Sequence, residues 1–148
     1  VVLAKKPAMK IKNKMNTKII TSGKRKTAVA RAITTEGNGK ITINDKPYET
    51  LHVFERLKIE EPIRIAKNIL GKIDFNIVVK VKGGGKNGQI EAARIAISRA
   101  IVEFTGKDDI EKAFLDYDRN LLVADVRRKE AYKPGDSKAR RKRQTSYR

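Results

Sequence analysis

The glycine-rich stretch Gly83-Gly84-Gly85-Lys86-Asn87-Gly88 has the spacing most suggestive of chemistry. Gly83, Gly85 and Gly88 satisfy G-x-G-x-x-G after a predicted strand and before a predicted helix, with Glu103 lying 20 positions on. That is the outline of a dinucleotide site. The mechanism fails, because the acid of such a site ends a second parallel strand, where it meets the ribose. Glu103 instead falls within the helix that the glycines introduce. The phosphate-loop alternative fails too: Gln89-Ile90 stands where Lys-Ser/Thr would hold the γ-phosphate and magnesium. Two readings remain open, a plain strand-to-helix turn and a cradle in which flexible glycines, helix N–H groups and Lys86 meet a nucleic-acid phosphate.

Two further groups are basic. Ser22-Gly23-Lys24-Arg25-Lys26-Thr27 places three cations and two hydroxyls beside a glycine, a set able to contact successive phosphates. The alternative is a solvated or targeting-like basic run. Residues 137–148 hold six basic residues, Lys138, Arg140, Arg141, Lys142, Arg143 and Arg148, with no acid. Such a segment cannot bury enough surface to fold alone. Tyr147 at its tip can stack on a base or sugar, and Arg148 can hold a phosphate. The chain has no cysteine and a single histidine, His52, which excludes disulfides and thiolate metal sites and leaves no catalytic constellation. No cofactor, metal or small-molecule substrate is expected. Apolar runs are too short to span a membrane.

The net charge of +18 is unevenly placed. Residues 1–35 carry ten basic and no acidic residues; residues 36–123 carry 15 basic and 14 acidic; residues 124–148 carry ten basic and three acidic. A nearly neutral body therefore bears two basic ends, more charge than solubility requires, and a polyanion is the expected partner. Residues 1–17 read as a basic, flexible N-terminal arm, residues 18–123 as an α+β RNA-binding domain, and residues 124–148 as an extended basic tail. Fully extended, that tail reaches ~80 Å at ~3.3 Å per residue, against a radius of gyration of ~13 Å for a 100-residue domain.

The elements that must position these residues follow from patterning. Residues 19–35 read as a strand interrupted over 22–26. Asn38-Gly39 makes a turn into a second strand at Ile41 and Ile43, giving a hairpin, and residues 44–47 close it. Pro62 suits the first turn of a helix ending at Leu70 before Gly71. Over 73–82, Ile73, Phe75, Ile77, Val79 and Val81 alternate with Asp74, Asn76, Lys80 and Lys82, the cleanest strand. A helix over 89–105 buries Ile90, Ala93, Ile97, Ile101 and Phe104 on one stripe. A shorter helix runs from an N-cap at Asp108 or Asp109 to about Tyr117. This mixture fits a small two-layer α+β domain. No duplex-DNA motif or RNA-recognition aromatic submotif is present.

Three blocks in order resemble the universal small-subunit ribosomal protein nine family in its archaeal and eukaryotic form. They are residues 22–32 (SGKRKTAVARA), residues 83–100 with GGGKNGQ followed by AARIAISRA, and the end KRQTSYR. The resemblance implies a left-handed β-α-β crossover, against the usual right-handed rule. It also implies a place in the subunit head, on ribosomal RNA beside neighbouring head proteins, in a cytoplasmic ribosome. The tail would reach the anticodon stem-loop of peptidyl-site tRNA through Ser146, Tyr147 and Arg148. The candidate ribosomal-RNA contacts are Lys24, Arg25, Lys26, Arg31, Lys86, Arg127, Arg128, Lys138, Arg140, Arg141, Lys142 and Arg143. Two features depart from the family: Val126 stands where the archaeal form commonly has proline, and residues 1–17 have no recognised counterpart. The competing classes are a nucleotide-dependent enzyme built on the glycine loop and a DNA-packaging protein.

Overall fold

Alternating burial along the strands dictates the sheet. A computed structural model describes residues 18–132, and the 1–17 arm and the tail beyond 132 lie outside them. Five strands, β1 (Ile19–Arg25), β2 (Ala28–Glu36), β3 (Ile41–Ile43), β4 (Lys46–Pro47) and β5 (Phe75–Lys82), form one sheet in the order β1-β2-β5-β3-β4. Three helices accompany them: α1 (Val53–Leu70), α2 (Lys86–Thr105) and α3 (Asp108–Tyr117). The fold is α+β, as expected.

β5 is the central strand, and its predicted alternation holds: Phe75, Ile77, Val79 and Val81 are buried while Lys80 and Lys82 are exposed. Ile73 is buried but precedes the strand. β2 pairs antiparallel with β5 from Val29↔Lys82 to Glu36↔Phe75 and turns Ala28, Ala30, Ala32 and Thr34 inward. Small residues there let α2 approach closely. At Gly23 on β1, a Cβ would lie 2.2 Å from the Ala92 carbonyl oxygen, so only glycine fits between strand and helix. The neighbouring Thr21 hydroxyl donates to the Ala96 carbonyl at 2.9 Å.

Three expectations are corrected. The interruption at 22–26 is absent: Ser22 to Arg25 lie in β1, and Lys26-Thr27 is the two-residue turn of a β1–β2 hairpin with Arg25 paired to Ala28. The Asn38-Gly39 hairpin is also absent. β2 and β3 are separated by β5, to which β3 pairs in parallel. The long apolar register of β2 with β5 outcompetes a three-residue strand. The chain does turn there, at Gly39 with φ of 82°, and the Asn76 carboxamide oxygen accepts from the Asn38 and Lys40 N–H groups at 3.1 and 2.9 Å. β3 pairs instead with β4 across Asn44-Asp45, both at positive φ as a tight two-residue turn demands. The β-α-β unit is thus β3–α1–β5.

The third correction concerns helix starts. Pro62 lies inside α1, which begins nine residues earlier at Val53. Burial of Ile59, Pro62, Ile63 and Ala66 offsets the lost N–H, a cost of about 3 kcal/mol in a helix interior. α2 begins at Lys86, so Gly88 is helical. It buries Ile90, Ala93, Ile97 and Ile101 as predicted, and also Ala92, Ala96 and Ala100, because it is packed by β1 and β2 on one side and α1 on another. Phe104 packs on Phe75 at 4.8 Å between ring centroids. Lys107, not an aspartate, occupies the α3 N-cap; Asp108 and Asp109 sit in the first turn, where carboxylates favour the helix dipole.

Candidate nucleic-acid interface

The glycine loop and the basic hairpin turn meet at one end of the domain, and sterics explain why. Gly83 and Gly84 have φ of 77° and 69°. A Cβ on Gly83 would stand 2.7 Å from the Thr27 carbonyl oxygen, and one on Gly84 would stand 3.0 Å from the Ala28 Cβ. The glycines therefore dock the loop onto the β1–β2 turn, and Gln89 holds it by donating to the Gly83 carbonyl at 3.1 Å. Lys26, itself at φ 52°, projects from the same turn. Between turn and loop lies an open cleft of about 600 Å³, lined by Lys26, Thr27, Lys86 and Asn87, with the carboxylates of Glu55 and Glu91 in its wall. α2 opens onto this end with Gly85 at its N-cap, no side-chain cap and no acid in its first turn. Its free N–H groups and positive dipole end suit an oxyanion.

Arg25 sits beside this cleft but is turned inward. Its Nε contacts Glu91 Oε2 at 2.7 Å and its Nη2 contacts Asp125 Oδ2 at 3.2 Å. Nη1 donates to the Arg127 carbonyl at 3.4 Å, a long bond. Arg127 closes on Asp125 through both carboxylate oxygens, with Nε–Oδ1 at 3.1 Å and Nη2–Oδ2 at 2.8 Å, and its backbone N–H also donates to Oδ1 at 2.9 Å. These bonds from Arg127, then the charges of Arg127 and Arg25, hold the Asp125 carboxyl well below the usual carboxylate range, and Asp125 in turn raises the Arg127 guanidinium. Arg128 donates to the Lys26 carbonyl at 2.9 Å. One step earlier, Arg99 on α2 donates to the Leu122 and Ser22 carbonyls at 2.9 and 2.8 Å. Behind them Arg94 joins Glu61 and Asp118 at 2.6 and 3.2 Å. The root of the tail, residues 122–128, is thereby sewn to the edge strand β1 and delivered to the basic end.

The sequence-predicted residues divide accordingly. Lys24, Lys26 and Lys86 are exposed and meet no carboxylate among the described residues. Arg31 is exposed too, on the outer face of β2, away from the glycine loop. Arg25, Arg127 and Arg128 are engaged by the protein itself. Gly23, read as part of a phosphate contact, is buried under α2. Lys138, Arg140, Arg141, Lys142, Arg143, Ser146, Tyr147 and Arg148 lie outside the described residues. Sequence reasoning passed over Lys80 and Lys82, although their outward register was legible, and over Glu91 and Asp125, whose roles appear only in three dimensions. Among the described residues there is no His/Cys/Asp/Glu group able to hold a metal, and no helix is long and apolar enough to cross a membrane.

Comparison with known proteins identifies the family. A family model described as ribosomal protein S9/S16 matches residues 23–148. The small ribosomal subunit protein uS9 of Methanococcus vannielii is 52% identical over 131 residues, covering 86% of this chain and 96% of that protein. The uS9 of Thermoplasma volcanium is 51% identical over 131 residues, covering 88% and 98%. With the family model matching from within β1 to the last residue, and these relatives about half identical over most of the chain, the chain belongs to the ribosomal protein S9/S16 family.

Proposed function

We propose that the chain is a structural component of the small ribosomal subunit. The turn-and-loop end, with Lys26 and Lys86, binds ribosomal RNA together with Lys24 on the adjoining sheet face, the basic tail beyond it follows the RNA, and its tip at Ser146, Tyr147 and Arg148 meets peptidyl-site tRNA. The observation that carries this reading is the pairing pattern. The arginines at the tail root are consumed in positioning, while Lys26 and Lys86 at the cleft are exposed and form no ion pair among the described residues. Glu91 in the cleft wall is engaged by Arg25, and free helix amides lie beside the two lysines. The family's relatives are small-subunit proteins by name, and phosphate neutralisation is the chemistry such lysines offer.

Salt dependence tests it. For the full chain on small-subunit ribosomal RNA, Lys26→Gln/Lys86→Gln should reduce the slope of log K against log salt by about 1.4, at ~0.7 per lost phosphate contact. An unchanged slope would remove this end from the interface. Deleting residues 146–148 should leave incorporation into reconstituted subunits intact and lower peptidyl-site tRNA retention; equal retention would detach the tip from that role.

A further inference from the structure

The helices cover one face of the sheet, and the opposite face carries a basic surface of its own. Register places Ser22, Arg31 and Lys80 in one cross-strand row and Lys24, Val29 and Lys82 in the next. Lys24, Arg31, Lys80 and Lys82 are all exposed, and none joins a carboxylate among the described residues. The outward positions of β1, β2 and β5 include no acid. With strands ~4.8 Å apart and same-face neighbours ~6.7 Å apart along a strand, the backbone attachments of the four cations span roughly 10 by 7 Å. That is close to the ~8 Å screening length at physiological salt, so they repel one another. The strands cannot relax apart, because their inner residues are locked in the core.

The chemistry of the missing partner follows. The chain's own ends cannot cover this face favourably: residues 1–17 contain no acid and residues 133–148 contain one, Asp136. A second copy would bring the same positive face. The outward strand positions hold no aromatic side chain, so there is no platform for base stacking. Ile20, which is 67% exposed, with Ile33 and Val78 forms an apolar row beside the cations, suited to ribose edges.

We propose that the open face of the sheet, centred on Arg31 and Lys80, is a platform for the phosphate backbone of folded RNA, read by shape and charge rather than by base. The partner is the ribosomal RNA of the preceding section, so the inference rests on that reading while adding a second surface to it. The chain has no cysteine, so Lys80→Cys and Lys86→Cys each create a unique attachment point for a short photoactivatable group. Each labelled full-length protein is incorporated into small subunits and irradiated. RNA cross-links from position 80 support the platform. Cross-links only to protein, or none, from position 80, with RNA captured from position 86, overturn the platform and leave the RNA-binding reading standing. Absence of RNA cross-links from both positions overturns both.

Discussion

The tail root and the open sheet face are both rich in cations, yet they use them oppositely. At the root, Arg25, Arg94, Arg99 and Arg127 meet carboxylates or carbonyls at 2.6 to 3.4 Å. On the sheet face, Lys24, Arg31, Lys80 and Lys82 meet none among the described residues. The division follows mostly, though not wholly, the difference between the residue types. A planar guanidinium with five donors can bridge several fixed acceptors, whereas an ammonium on a flexible stem stays hydrated. Arg31 is the exception, and its outward register leaves it no internal acceptor. Net charge therefore overstates what this protein offers a partner, since some of its arginines hold the tail in place. The contrast is sharpest between Lys24 and Arg25, adjacent in β1 and pointing to opposite faces.

The largest effect should come from the residue that lets β1 carry both roles. Gly23→Ala would drive a Cβ to 2.2 Å from the Ala92 oxygen, against backbone that cannot swing away. Overpacking of this kind should cost about 3 kcal/mol in denaturant unfolding, and it would break the comparison by loosening the root and the open face together. A stability within error of the parent would mean that β1 and α2 can separate without loss.

Next in size is a paired test of the two neighbours. Arg25→Gln removes the partner that Glu91 and Asp125 share, leaving them to Lys58 and Arg127, and should cost about 2 kcal/mol, in the range of charge-assisted hydrogen bonds that are partly shielded. Faster amide exchange in residues 125–128 should accompany it. Lys24→Gln should move stability by less than about 0.5 kcal/mol, as for exposed positions without partners. Equal effects from the two substitutions would erase the distinction between positioning and binding cations.

How much of this was legible in the sequence depended on range. β5 and α2 were readable because their core residues repeat at periods of two and about 3.6 within one element. The start of α1 was obscured by Pro62, a local signal overridden by tertiary burial. The wrong hairpin arose because Asn38-Gly39 is a genuine turn whose following strand finds its partner in β5, more than thirty residues away. The site was half legible. The basic turn, the glycine loop and Lys86 were singled out separately and the fold brings them together, but Arg25 was grouped with its neighbours because Glu91 and Arg127 lie 66 and 102 positions away. The purpose of the glycines was likewise invisible: Gly83 and Gly84 make room for the hairpin turn, which sequence spacing cannot show.

The smallest effect isolates the last link in the root, Asp125 with Arg127. Hydrogen bonds from the Arg127 side chain, then from its backbone N–H, depress the folded carboxyl below the ordinary value of ~3.9. A depressed carboxylate stabilises the fold at every pH above its unfolded midpoint, and that contribution disappears only as pH falls through the lower folded midpoint. The Asp125 carboxyl signal should therefore remain that of an ionised group at pH 3, with the Arg127 amide still protected by its bond to Oδ1. Arg127→Ala removes the leading cause and should return the midpoint toward the ordinary range, with little change in global stability because the Arg127 side chain is 85% exposed. If Asp125 titrates near 3.9 with Arg127 present, the pair is only a solvated surface contact. The tail would then be guided at its root by Arg25, Arg99 and Arg128 alone.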